Sequence, residues 1–483
     1  MAFLTEAANR GSIPTGPYEI DNSCKFEEDN SEFLWKTFSG EGTGTGKTFT
    51  VSAWVKRTEL GGIDIVMGVG RAVGSDANDG AIRFNSDQFQ FVNFASNAYN
   101  VRTNAVFRDT AAWYHIMVAV DTTQATDSNR VKLYVNGQEQ TSLTGTAYPT
   151  QNYQFKWGRA EEHMIGSRPD SDAVAGEPQA SQFWSGYMAD VYFVDGSQLA
   201  PTDFGEVDED SGIWKPKQRG GSFGNNGFKL EFGNSSNLGT DTSGNSNNFT
   251  AVNLAAIDQA TDTPTNNFCT INPLVNNGFA IFSLTEGGTR GPNTAEGNKA
   301  VGTFGVSSGK WYWEGVTTSA SGTNYWEWGI TRVDVQQGNS HDPAQGSAWY
   351  SAENTFNTQT GVGSASPTYN TGITSYSVGD IWSISLNCDV SPYTMTLRFN
   401  NSVAGTTSNN TNRSVGTFAS ADAVTPYYFL YNVASDDTWH NFGNPFITTL
   451  SGGNSDANGY GDFKYAPPSG YYALCTKNLA EYG

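Results

Sequence analysis

Residues 39–57 read SGEGTGTGKTFTVSAWVKR, a glycine-rich run whose Gly46-Lys47-Thr48 matches the end of a phosphate-cradling loop. That loop needs a glycine five residues before Gly46, where this chain has Glu41, a carboxylate that would repel phosphate. It also needs a helix after the lysine, whose amides and dipole hold the phosphates. Phe49, Val51, Ala53 and Val55 instead alternate with Thr50, Ser52, Trp54 and Lys56, which is strand periodicity. Two stretches fit the nucleophile pattern G-x-S-x-G, around Ser222 and Ser307. A strained, exposed serine requires a strand before it and a helix after it. Ser307 runs into KWYWEG and Ser222 lies in a glycine-rich segment, so both predict turns. In GEVDEDSG, residues 205–212, Glu206, Asp208 and Asp210 have the parity of one strand face. Paired carboxylates about 5 Å apart hydrolyse glycosides. Here Glu209 and flanking glycines favour a solvated, self-repelling loop, so no catalytic residue is expected.

Two sets of binding candidates remain. Asp241, Ser243, Asn245 and Asn247 space side-chain oxygens so that they could ring a calcium ion. With a single carboxylate, the same spacing is favoured as an Asx-turn loop that bonds its own backbone, and no cofactor is required. Trp326, Trp328 and Ile330 share a strand face and are expected in a core, with Tyr325 and Glu327 pointing outward. His341 opens a loop expected to carry Trp349 and Tyr350, aromatics able to stack on a sugar or fill a partner's pocket. Tyr325, His341, Trp349 and Tyr350 are therefore the ligand-binding candidates.

Composition narrows the partners. The chain has 483 residues and a formal net charge of −21, with no local Lys or Arg run, which argues against nucleic acid and anionic membrane surfaces. Its longest apolar runs, such as WYHIMVAV, are far below a bilayer span, so no membrane insertion is expected. The N-terminus lacks the basic and apolar regions of a secretion signal. Cys24, Cys269, Cys388 and Cys475 are widely scattered, as in a protein made in a reducing cytoplasm. Aromatic residues make up 13% of the chain and glycines number 54, so many short strands with aromatic cores are expected.

Strand patterns run in two series. Residues 1–20, with Pro14 and Pro17, form an arm; 21–216 form a first β-sandwich; 217–273 form a Gly/Asn/Ser-rich connection; 274–483 form a second sandwich. Val131, Leu133 and Val135 alternate before Asn136-Gly137, a hairpin signal. The stretch 81–94 reads as strand, and the closing residues from Tyr471 complete the second series.

FTVSAWVKR (49–57), WYHIMVAVD (113–121), KLYVNGQ (132–138) and WSGYMADVYFVDGSQLAPTDFGE (184–206) together resemble the laminin-G/concanavalin A-like lectin domain, in the form found in bacteriophage virion proteins. SSGKWYWEG (307–315), YWEWGITR (325–332), YSVGDIWSISLN (376–387) and HNFGNPF (440–446) resemble a SPRY domain. The resemblance implies an all-β chain of two antiparallel jelly-roll-type sandwiches, concanavalin A-like and then SPRY-like. It implies a non-enzymatic protein on the exterior of a virion assembled in the host cytoplasm. Such a tail fibre or adhesin would bind host-surface glycan or protein, contact other virion proteins and form homo-oligomers. The alternatives are a capsid-decorating or head-fibre protein, and a glycan depolymerase using Glu206 with Asp208 or Asp210.

Overall fold

The computed structural model describes residues 18–70, 80–94, 98–170, 174–209, 211–274, 284–292, 298–319, 325–334, 346–352, 355–360, 368–369, 377–391, 393–403, 413–414, 423–431 and 437–483. The chain is nearly all β and divides into two compact units, Pro14–Thr265 and a second built on Asn266–Gly483. The arm expected over 1–20 lies almost wholly outside the described residues.

In the first unit two antiparallel sheets face each other. One runs, in spatial order, Gln138–Glu139, Val131–Val135, Tyr114–Asp121, Thr48–Arg57, Gly186–Asp195, Ser23–Phe26 and Gln259–Ala260, with Phe228–Leu230 also paired to Gly186–Asp195. The other runs Leu143–Ala147, Asn100–Val106, Gln88–Asn93, Gly80–Asn85, Ile63–Gly70, Glu162–Ile165, Phe33–Thr37 and Thr250–Val252. Between them Phe49, Phe91, Phe155, Trp157 and Phe193 pack ring on ring, with centroids 5.5–5.8 Å apart for most neighbours. Stretch 81–94 is two strands, not one: Ser86 and Asp87, both at positive φ (50° and 67°), turn the chain in a two-residue hairpin.

The boundary at 216 and the connection 217–273 need correction. Residues up to 265 belong to the first unit, and those from 266 to the second. Phe228–Leu230, Thr250–Val252 and Gln259–Ala260 add to both sheets, and Phe228, Leu230, Phe232, Leu238 and Phe249 join the core. Residues 197–214 and Asp262 cover the outer face of the first sheet, so the polar residues alternating along Thr48–Arg57 are buried: Lys56 Nζ meets Asp262 at 2.7 Å, and Thr50 Oγ1 donates to Ser197 O at 2.7 Å.

In the second unit one sheet is ordered Arg290–Pro292, Asp437–Asn441, Lys310–Ser319, Ile381–Asn387, Thr394–Phe399 and Ser402–Val403. Arg413–Ser414 and Tyr472–Ala473 pair alongside, the latter in parallel. The other sheet is ordered Asn298–Val301, Val424–Tyr431, Tyr325–Arg332, Gly346–Ala352, Thr355–Thr360 and Thr368–Tyr369. Trp311, Trp313, Trp328 and Trp382 are fully buried in its core. The chain closes on a helix, Thr476–Tyr482, rather than a strand, because Leu479 anchors one helical face in that core.

Candidate functional site

The glycine-rich loop spends its amides internally. Asp195 accepts from the backbone N–H groups of Thr43 (2.6 Å), Gly44 (2.7 Å) and Asn226 (3.1 Å). A carboxylate of the chain itself thus occupies the place a phosphate would take. Glu41 is held by both Arg159 Nε (2.7 Å) and Nη2 (2.9 Å).

The acidic stretch is a hairpin, Gly205–Val207 with Trp214–Pro216, rather than a wholly solvated loop. Asp208 is buried beneath it, accepting from Ser211 N and Oγ (both 2.9 Å) and from Lys215 Nζ (3.0 Å). These donors hold its carboxyl well below the usual range, beginning with the Ser211 amide. Glu206 faces the same lysine at 3.7 Å, and Asp210 lies outside the described residues. Carboxylates neutralised by one lysine are poorly suited to act as acid and base.

A buried Ser–His pair escaped the sequence reading. Ser52 Oγ lies 2.8 Å from His115 Nε2, the spacing of a nucleophile and its base. Trp214 Nε1, which can only donate, reaches His115 Nδ1 at 3.1 Å. Nδ1 is therefore the acceptor, Nε2 carries the hydrogen, and the ring donates to Ser52 instead of taking its proton. Burial pushes the His115 pKa down to about 3, so the ring stays neutral.

Asp241 accepts from Lys229 N and Ser243 N through one carboxylate oxygen, and from Ser243 Oγ and Asn247 N through the other, all within 2.9 Å. Asn245 and Asn247 turn their amide N–H groups to carbonyl oxygens of 224, 225 and 227. These bonds knit the loop to the strand Phe228–Leu230, and both carboxylate oxygens of Asp241 are taken up by donors of the chain itself.

His341 lies outside the described residues. Trp349 and Tyr350 sit on the strand Gly346–Ala352, not in a loop, and Tyr325 begins the neighbouring strand. Register places position 349 opposite Trp328 and position 350 opposite Glu327, so the two positions belong to opposite sheet faces. Glu327, expected outside, is buried on this interior strand.

One polar surface stands apart, on the outer face of the second sheet of the first unit. Arg83, Gln90 and Arg102 are in direct register across three adjacent strands, with Asn100 two positions along. Buried Gln90 organises the row: its Oε1 accepts from Arg83 Nε (2.8 Å) and its Nε2 donates to Asn100 Oδ1 (2.7 Å). Residues 167–168 cross over Gly68, where an added Cβ would lie 2.3 Å from Arg168 Cβ. Arg168 bonds Gln182 (2.8 Å) and Gln179 (2.9 Å) and stacks on Phe94, its Cζ 4.0 Å from the ring centroid. Arg83 Cζ lies 5.2 Å from the same ring. The signal was present in IRFNSDQFQF, whose polar residues alternate with core phenylalanines.

Residues 35–200 match the family model of the concanavalin A-like lectin/glucanases superfamily. A comparison with curated proteins returns no match. Among solved structures, mouse laminin α1 chain domains LG4-5 align at 11% identity and TM-score 0.29, covering 86% of this chain and 84% of that one. A SAP-like pentraxin from Limulus polyphemus aligns at 14% identity and TM-score 0.29, covering 38% and 80%. The SPRY domain of human HERC1 aligns at 14% identity and TM-score 0.25, covering 32% and 89%. The first sandwich has a concanavalin A-like, laminin-G fold.

Proposed function

We propose that the chain is a non-enzymatic recognition protein whose first sandwich binds glycan on the outer face of its second sheet. The row Arg83–Gln90–Arg102 carries this reading, since rigidly organised amide and guanidinium groups on a sheet face suit sugar hydroxyls and charges. The match to a lectin/glucanase superfamily supports it. The donor direction of His115 and the lysine-bound carboxylates of the acidic hairpin support binding over hydrolysis. In its fuller form, the quoted resemblance makes the chain a tail fibre or similar adhesin on a phage exterior, held to other virion proteins by the 1–20 arm. Affinity electrophoresis of the full chain in gels cast with purified bacterial-surface polysaccharides tests the binding. Retardation by at least one is expected, and none across the panel removes the reading. Antibody labelling of purified particles tests the adhesin form: tail labelling supports it, and capsid-lattice labelling replaces it with decoration.

A further inference from the structure

The same face points to the chemistry of its ligand. Elsewhere in the first unit, buried cations meet carboxylates: Lys25 with Asp258, Lys56 with Asp262, Arg57 with Asp87, Lys215 with Asp208, and Lys229 with Asp190. Arg83 and Arg102 differ. Among the described residues neither forms an ion pair, and the terminal nitrogens of Arg83 and the whole guanidinium of Arg102 have no hydrogen-bond partner. Both are half-buried, and Arg168 adds a further positive charge beside Phe94. Partial burial first, and then the neighbouring charges of Arg168 and Arg102, push the Arg83 pKa down to about 10. In a chain of net charge −21, Arg83 and Arg102 thus stand together without a carboxylate partner among the described residues.

We infer that this face takes a glycan bearing carboxylate groups, with Arg83 and Arg102 as its charge-reading residues; the inference rests on the glycan-binding reading above. Two strand spacings separate the two arginines, roughly 10 Å, a distance their long side chains can close around one acidic sugar or share between neighbouring ones. A guanidinium matches a carboxylate with two parallel hydrogen bonds. Asn100 Nδ2, which has no partner among the described residues, adds a donor for a hydroxyl. The Phe94 ring already carries guanidinium groups, so ring stacking is not its contribution. A long nucleic acid would run beyond the patch onto a strongly acidic molecule, whereas an acidic sugar residue fits within about one Debye length.

The test uses uronate-bearing bacterial polysaccharides, each paired with its carboxyl-reduced form, against the full chain and its Arg83→Gln, Arg102→Gln and Arg102→Lys variants. Variants are checked for an unchanged melting midpoint, and Arg102→Lys serves if a glutamine variant fails to fold. The native polysaccharide is expected to bind at least tenfold more tightly than its reduced form. Each arginine substitution is expected to lower that affinity about tenfold, the scale of a charge-assisted hydrogen bond, with little effect on the reduced form. Equal binding of both forms overturns the acidic preference and leaves glycan recognition standing. Binding of neither overturns both. Single-stranded DNA binding as tightly as the uronate polymer also overturns the inference, by making the face a general polyanion surface.

Discussion

Asp262→Ala probes the segment that sequence composition assigns to a loose connection. Lys56 is 0% exposed and Asp262 1%, and their charged atoms meet at 2.7 Å. The other Asp262 oxygen accepts from Trp113 Nε1 at 2.9 Å. Removing the carboxylate takes an anionic partner from a buried ammonium and an acceptor from a buried indole N–H, and breaking such a pair costs about 3–5 kcal/mol. That is a large fraction of the roughly 5–15 kcal/mol available to a domain. Asp262→Asn retains an acceptor for the indole and should lose less. Urea denaturation followed by hydrogen exchange, read separately on peptides from 18–265 and 266–483, isolates the affected unit. The expected result is a loss of about 3 kcal/mol or more confined to the first set. A loss below about 1 kcal/mol, the scale of an exposed pair, would refute the view that residues near 262 lock the first sandwich.

Asp195→Ala should release the glycine-rich loop, so that amide exchange at Thr43 and Gly44 accelerates at least tenfold while magnesium-ATP leaves the melting midpoint unmoved; unchanged exchange would contradict the carboxylate cradle. Glu59 is pushed up to about 8 by burial, then by Glu27, Glu28, Asp64 and Asp29. Its folded form holds a proton more tightly than the unfolded chain, so stability is full below pH 4.5 and falls as pH rises towards 8. Glu59→Gln should therefore gain over the parent across that window, at up to about 1.4 kcal/mol per pH unit; a difference flat with pH would disprove it. Glu314, raised to about 7 mainly by burial, accepts from Lys464 N (2.8 Å), Tyr465 N (2.9 Å) and Tyr312 Oη (2.7 Å). Glu314→Gln turns an amide N–H toward donors and should destabilise the second unit by about 2 kcal/mol in denaturant melts, whereas a neutral outcome would contradict that bonding.

Much of the fold is legible because alternation survives wherever one face meets a core. Val131, Leu133 and Val135 point inward, and Asn136-Gly137 turns the chain at φ 47° and 77°. Residues 217–265 were opaque because their strands are only two or three residues long and their core residues are spread among turn formers. Burial of the polar face of Thr48–Arg57 depends on distant cover from residues 197–214 and Asp262, which no local window contains. The Ser86-Asp87 turn lacks glycine, so the hairpin pairing Arg83 with Gln90 gave no strong signal. Arg102 enters the row only through sheet register, a non-local property. Aromatic residues drew notice instead, though Trp328 and Trp382 illustrate how often large rings are simply buried.

Hydrogen exchange of the full chain, with and without the polysaccharide that retards it most, tests glycan recognition on the first sandwich most directly. The account predicts slowed exchange in the strands Gly80–Asn85, Gln88–Asn93 and Asn100–Val106. Slowing confined to residues 266–483 would place recognition on the other sandwich and contradict it.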